Sequence, residues 1–303
     1  MSILVYAVPT PPFVPPPNPW TGFGMYWTGT DGSVWSLVDP THGSVMLPGV
    51  RGMSMPPITH YKDKYASTPG SRWRGFNVEE REVFWPIQIF HDGSSQDWID
   101  RDRAWWKSLH PSGTGVWTVV QPNGTRRHLR CRFVNDGTQE FASDPATIGW
   151  TNYGITMVAE SPFWEGDPVA PKAWITGEGT PFFDGSGLTI SPGYGLDAAK
   201  LTNDGDEPAY ITWTIIGPAT DAQVGVPGQI ITVPFEVPDG QTLVIDTNPL
   251  HMSAKMNGVN KMNQLGVRDF APLPPGNSIT LSLDMTGAGA IEARFTPQYY
   301  RAW

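Results

Sequence analysis

Along most of this chain apolar and polar residues alternate with the period of a strand that buries one face, and over one stretch they follow the longer period of a helix. Residues 25–28 and 34–37 flank Asp31-Gly32, a pair that supplies the positive φ of a tight turn, and predict a hairpin. Between 73 and 90, Phe76, Val78, Val83, Trp85, Ile87 and Ile89 alternate with polar partners and predict long strands. Glu79, Glu80, Arg81 and Glu82 lie among them and read as a turn facing solvent or another subunit. A hydrophobic strand pair of this length is too long for one small domain to bury, so Phe76, Val78, Val83, Trp85 and Ile87 are the candidate interface residues.

The helix is predicted to start at Ser94 or Ser95, where a hydroxyl caps the first amides and Asp97 favours the positive end of the dipole. It runs to about Leu109. Trp98, Ile99, Trp105, Trp106 and Leu109 form its apolar stripe, Asp100, Arg101, Asp102, Arg103 and Lys107 face water, and Pro111 and Gly113 end it. Strands resume at 116–120 and return through 129–134, and Asn123-Gly124 between them predicts a type I′ turn. Arg126, Arg127, Arg130 and Arg132 fall on both faces of the return strand, which suits salt bridges or subunit contacts. Another strand spans 150–159, and Pro162-Phe163-Trp164-Glu165-Gly166 breaks the pattern.

Beyond residue 167 short apolar runs recur at 213–216, 230–233, 242–245, 278–283 and 291–295, divided by Gly, Pro, Asn and Asp, the pattern of a β-sandwich. The expected architecture is therefore mainly β: two β-sandwich-like domains, 1–166 and 167–303, the first with one α-helix and an extended β-hairpin. The boundary is placed between Gly166 and Lys172, with each half expected to fold alone. Seven prolines between Pro9 and Pro19 make an extended arm in front of the first domain.

Composition narrows the function. The formal charge of −9 and the pI near 5.1 argue against a nucleic-acid-binding surface, which needs concentrated Lys and Arg. Residues 166–303 hold 7 basic and 14 acidic side chains and so carry −7 of that charge. Cys131 lies in an alternating segment and reads as a small buried hydrophobe. The start has no basic region and its apolar run stops at Pro9, so no secretory signal or membrane anchor is expected, and synthesis in the cytoplasm is.

Catalytic motifs for acyl, phosphoryl or metalloprotease chemistry do not occur, and the six histidines lack metal-ligand spacing. Glu79, Glu80 and Glu82 on a strand point to opposite faces and cannot converge on one bond. No enzyme activity, cofactor or metal is expected. The rival reading is a carbohydrate-binding β-sandwich protein or glycosidase, prompted by 14 tryptophans in an acidic β-rich chain.

The order of motifs resembles the distal tail (siphovirus tail component) proteins, especially minor tail proteins of actinobacterial phages. In the first half it is carried by Asp97, Arg103, Trp106, Leu109, Pro111, Gly115, Trp117, Pro122-x-Gly124, Arg127, Leu129, Arg132-Phe133-Val134, Tyr153 and Pro162-Phe163-Trp164-x-Gly166. In the second half it is carried by Asn203-x-Gly205-x-x-Pro208-Ala209, Gly217-Pro218-Ala219, Gly240-Gln241-Thr242-Leu243-x-Ile245-Asp246-Thr247 and Leu273-Pro274-Pro275-Gly276-Asn277. The resemblance implies a homo-oligomer, a hexameric ring built by the first domain through its hairpin and helix, with a galectin-like second domain at its periphery. It also implies a place at the virion tail tip, and as partners the tail tube protein, the tail-tip hub, other minor tail proteins and the tape-measure protein.

Overall fold

The computed structural model describes residues 22–137, 141, 143–175 and 194–303, and the proline arm at 9–19 lies outside the described residues. In the first half the strands are β1 (Gly24–Thr28), β2 (Val34–Ser36), β3 (Ser44–Met46), β4 (Ile58–Asp63), β5 (Arg72–Val78) and β6 (Arg81–Phe90). Helix α1 (Ser95–Ser108) follows, then β7 (Gly115–Val120), β8 (Arg126–Asn135), the single turn α2 (Pro145–Ile148), β9 (Trp150–Ala159) and β10 (Trp164–Gly166).

Seven of these strands form one antiparallel path in the order β2-β1-β7-β8-β9-β6-β3. Its two ends meet: the Met46 amide donates to the carbonyl of Leu37 at 2.7 Å, and the Ser44 hydroxyl donates to the carbonyl of Ser36 at 2.7 Å. Curling the sheet this way leaves no long open edge and encloses a core between its walls. Tryptophans fill it. Trp27 meets Trp85, Trp85 meets Trp117 and Trp117 meets Trp164, with ring centroids 5.2, 5.2 and 5.0 Å apart in edge-to-face geometry. Packing this dense needs a glycine at 115, where an added Cβ would come within 2.2 Å of the Trp27 ring.

Helix α1 caps the barrel as its pattern predicts. Ser94 is its N-cap: the Asp97 amide donates to the Ser94 hydroxyl at 3.3 Å, and the Ser94 amide donates to the Asp97 carboxylate at 2.8 Å. Trp98, Trp105 and Leu109 are buried, but Arg101 and Asp102 are only half-exposed, against the expectation that both face water. The Tyr153 hydroxyl donates to Asp102 at 2.6 Å, which ties the helix to β9. Between β7 and β8 the expected type I′ turn is not formed. The Gly124 amide donates to Gln121, the Gln121 amide donates to Thr125, and Gly124 has positive φ while Asn123 does not. Pro122 fixes the φ of a type I turn at its second position, so Gly124 alone takes the left-handed conformation.

The second half contains β11 (Lys172–Ile175), β12 (Tyr194–Gly195), β13 (Lys200–Leu201), β14 (Thr212–Ile216), β15 (Thr220–Val226), β16 (Gln229–Val233) and β17 (Thr242–Asp246). They are followed by β18 (Ser253–Met256), β19 (Val259–Asn260), β20 (Ile279–Thr280), β21 (Asp284–Thr286), β22 (Ala290–Arg294) and β23 (Gln298–Tyr299). A sheet ordered β12-β11-β22-β14-β17-β18-β19 and a smaller sheet ordered β16-β15-β21 share one core, which includes Trp174, Trp213, Val224, Ile231, Leu243 and Ile291. This is the sandwich that the short apolar runs predict.

Two hydrophobic cores separate the halves, yet the chain crosses back at its end. Strand β23 pairs with β10, Trp164 opposite Tyr299, and Ala302 is buried in the first core. The expected contiguous boundary is corrected to this extent: residues 298–303 complete the first unit, so a fragment ending near Gly166 lacks one of its strands.

Two outcomes follow from this packing. Trp85→Ala removes the central indole of the barrel and should cost about 3–5 kcal/mol of unfolding free energy in denaturant titration. The Ser94 hydroxyl and amide hold the Asp97 carboxyl below its ordinary range. The stability this cap gives is therefore present above that range and lost as pH falls through the lower folded value. Thermal melts should show the gap between wild type and Asp97→Asn closing as pH falls.

Candidate assembly interface

Strands β4 and β5 pair only with each other, as a two-stranded ribbon leaving the barrel between β3 and β6. No residue of either strand is buried. The register places Ile58 opposite Val78, His60 opposite Phe76 and Lys62 opposite Trp73, so Ile58, His60, Trp73, Phe76 and Val78 share one face. A bulge lies between, where Gly75 takes a φ of +146°. Trp73 and Phe76 stack with centroids 6.4 Å apart, and the Trp73 indole donates to His60 Nδ1 at 3.2 Å. Trp73 is 57% exposed and Phe76 47%. On the opposite face Tyr61 is exposed, while Arg74 and Asp63 form an ion pair.

The structure divides the interface residues expected from sequence. Phe76 and Val78 lie on the ribbon's aromatic face. Val83, Trp85 and Ile87 do not: each is wholly buried on β6, which runs between β9 and β3 and turns these side chains into the barrel. This is a correction, because the alternation at 83–87 marks the chain's own core. The extended hairpin is likewise β4 with β5, whereas 73–90 spans two strands that do not pair with each other. Sequence reasoning missed Trp73, His60 and Ile58. Ile58 and His60 lie in a polar stretch, and only the pairing of β4 with β5 brings them beside Val78 and Phe76, while the bulge turns Trp73 to the same face.

The glutamate-rich turn also changes meaning. Glu79, Glu80 and Glu82 stay at or near the surface, but Arg81 is 1% exposed. Its Nε donates to the Pro162 carbonyl at 2.7 Å, Nη1 to the carbonyls of Gly52 at 2.8 Å and of Ser54, and Nη2 to that of Tyr300 at 2.7 Å. Burial pushes its pKa down to about 10. Arg130 and Arg132 on β8 pair with Glu165 and Glu160 at 3.5 and 2.7 Å, as the charge pattern suggests, and Arg127 lies 3.7 Å over the Tyr299 ring. Cys131 is buried, and burial raises its thiol pKa, as suits a packing role.

Other surfaces offer less. A cleft of about 550 Å³ opens between the two units, lined by Arg130, Glu165, Tyr210, Asp246, His251 and Arg294 among others. Arg130 pairs with Glu165, and His251 lies 3.9 Å from Asp246, so these polar groups face one another within its own wall. Among the described residues no cluster of three His, Cys, Asp or Glu side chains could hold a metal ion, and no helix is long and apolar enough to cross a membrane. Trp27, Trp85, Trp98, Trp105, Trp117, Trp164, Trp174 and Trp213 are buried, Trp35 and Trp106 are half-buried, and Trp73, Trp150 and Trp303 are the exposed indoles among the described residues.

No family model matches the chain. A segment of 144 residues is 25% identical to minor tail protein Gp27 of Mycobacterium phage D29; it covers 46% of this chain and 42% of that protein, less than half of its length. SPP1 Dit (gp 19.1), described as a paradigm of the hub adsorption apparatus in phages infecting Gram-positive bacteria, superposes with a TM-score of 0.65 at 16% identity, over 92% of this chain and 99% of that one. A chain of the phage P2 baseplate in its activated conformation with calcium superposes with a TM-score of 0.50 at 11% identity, over 90% and 98%. This chain is similar to phage tail proteins. Its fold is similar to that of Dit over nearly the whole length, which agrees with the resemblance carried by the ordered motifs.

Because Trp73 and Phe76 are exposed on the ribbon and belong to neither hydrophobic core, Trp73→Ala and Phe76→Ala should each change monomer stability by no more than about 0.5 kcal/mol in denaturant titration. A loss as large as that expected for Trp85→Ala would show that the ribbon belongs to the core.

Proposed function

We propose that this chain is a non-catalytic structural protein of a bacteriophage tail, which joins copies of itself into a ring through the β4–β5 ribbon. The observation that carries this is the ribbon's bare aromatic face. A two-stranded hairpin alone is marginally stable in water, and a face on which Trp73 and Phe76 are exposed beside a half-buried Val78 gains stability when another surface covers it. A second copy is the occupant this reading names, because one ribbon reaching to one neighbour is a heterologous contact, and such contacts form a ring when the rotation between copies closes. The likeness to a minor tail protein and to Dit supports the tail assignment.

In this reading the ring is a hexamer at the virion tail tip, assembled after synthesis in the host cytoplasm. It connects the tail tube protein to the tail-tip hub and other minor tail proteins, with the tape-measure protein ending nearby. The second unit stands at the periphery. The carbohydrate-binding alternative finds less support, since most described tryptophans fill cores and present no stacking platform.

Complementation of a phage lacking this gene tests the proposal. The doubly substituted Trp73→Ala/Phe76→Ala protein should fold, with an unchanged circular dichroism spectrum. It should lose about 2 kcal/mol or more at each repeated contact and yield few infectious particles. Wild type should form a species of six times the 33.3 kDa chain mass, free or on its tail partner. Full infectivity of the double variant would overturn the ring reading.

A further inference from the structure

The ribbon buries none of its own residues, so its direction is set where it leaves the barrel. That root is held by few contacts. The Arg51 amide donates to Phe84 at 2.9 Å, the Glu79 amide donates to Pro57 at 2.9 Å, and Arg81, three residues beyond the ribbon, grips the carbonyls of Gly52 and Ser54 in front of it. The same guanidinium binds the carbonyl of Tyr300, while the Ala302 amide donates to Met53 at 2.9 Å. The C-terminal segment therefore lies directly against the ribbon's root.

On its other side that segment is held by the second unit. The Asp206 amide donates to Gln298 at 2.7 Å, the Tyr300 amide donates to the Asp206 carboxylate at 2.9 Å, and the Tyr300 hydroxyl donates to Glu207. The loop bearing these carboxylates is itself fixed by Asn203, wholly buried, which donates to the carbonyls of Glu207 and Leu273 at 2.8 and 3.1 Å. A continuous set of hydrogen bonds thus runs from the second sandwich through the last residues to the base of the ribbon.

We propose that residues 298–303 act as a clasp through which the second unit sets the position of the assembly ribbon, with Arg81 as the positioning residue between them. The proposal rests on the ribbon being the assembly surface, but the link can be measured in the isolated chain. A guanidinium buried among carbonyls has no water to replace a lost acceptor, so removing the Tyr300 carbonyl loosens its hold on Gly52 and Ser54 as well. Placement of the second unit by a tail partner would then alter how readily the ribbon reaches the neighbouring copy.

Hydrogen exchange on the full-length protein and on a version ending at Tyr299 tests this. The shortened protein should show amides of Arg51 and Glu79 exchanging about tenfold faster or more, while those of Ile215 and Leu243 in the second sandwich keep their protection. Tyr300→Phe, which cuts only the link to Glu207, should give a smaller change at the same two amides. Unchanged exchange at Arg51 and Glu79 in the folded, shortened protein overturns the clasp. If that protein does not fold, Arg81→Lys decides instead, with unchanged exchange at those amides as the contrary result. Trp73→Ala/Phe76→Ala should leave both amides as in wild type, so failure of the ring reading and failure of the clasp give different results.

Discussion

A cation with almost no exposure and no carboxylate beside it organises the first half of this protein. Among the described residues Arg81 has no ion-pair partner, and four of its five N–H groups donate to backbone carbonyls from the loop before the ribbon, the connection between β9 and β10, and the segment at Tyr300. Such a group tolerates burial because its donors find acceptors in place of water. The barrel, the ribbon root and the end of the chain must therefore be in place together. The tryptophan core supplies most of the apolar burial, while Arg81 fixes how the segments around it are joined. Trp164 adds to the same point, its indole donating to the Gly52 carbonyl at 3.3 Å.

The functional reading follows from an imbalance between the elements. The barrel and the sandwich bury their apolar faces internally, but the ribbon presents Trp73 and Phe76 exposed, with Val78 half-buried beside them. In a chain whose two cores bury eight tryptophans, that face, with Trp73 stacked on Phe76 in the open, is the feature which asks for another molecule. The proposed structural role in a tail assembly accommodates it, and the likeness of fold to Dit is consistent with that role.

Much of the fold could be read from the sequence because it is encoded locally. Ser94 with Asp97 marks the helix start, Asp31-Gly32 and Pro122 to Gly124 mark turns, and strict alternation marks β6, β7 and β9. Alternation identifies a buried face but not what buries it, which is why Val83, Trp85 and Ile87 read as interface residues and prove to be core. The turn at 79–82 reads as solvated since three of its four residues are acidic, and nothing local reveals that Arg81 meets residue 300. The return of residues 298–303 to the first unit and the register that brings His60 to Phe76 are long-range pairings, invisible to any short window.

The central claim is that the ribbon is completed by a neighbouring copy of the same chain. Electron cryo-microscopy of intact virion tails at side-chain resolution measures this directly. The account predicts a closed ring in which Trp73, Phe76 and Val78 of each copy are buried against the next barrel. A ring in which these side chains stay in solvent, or a tail that contains a single copy of the chain, would contradict it.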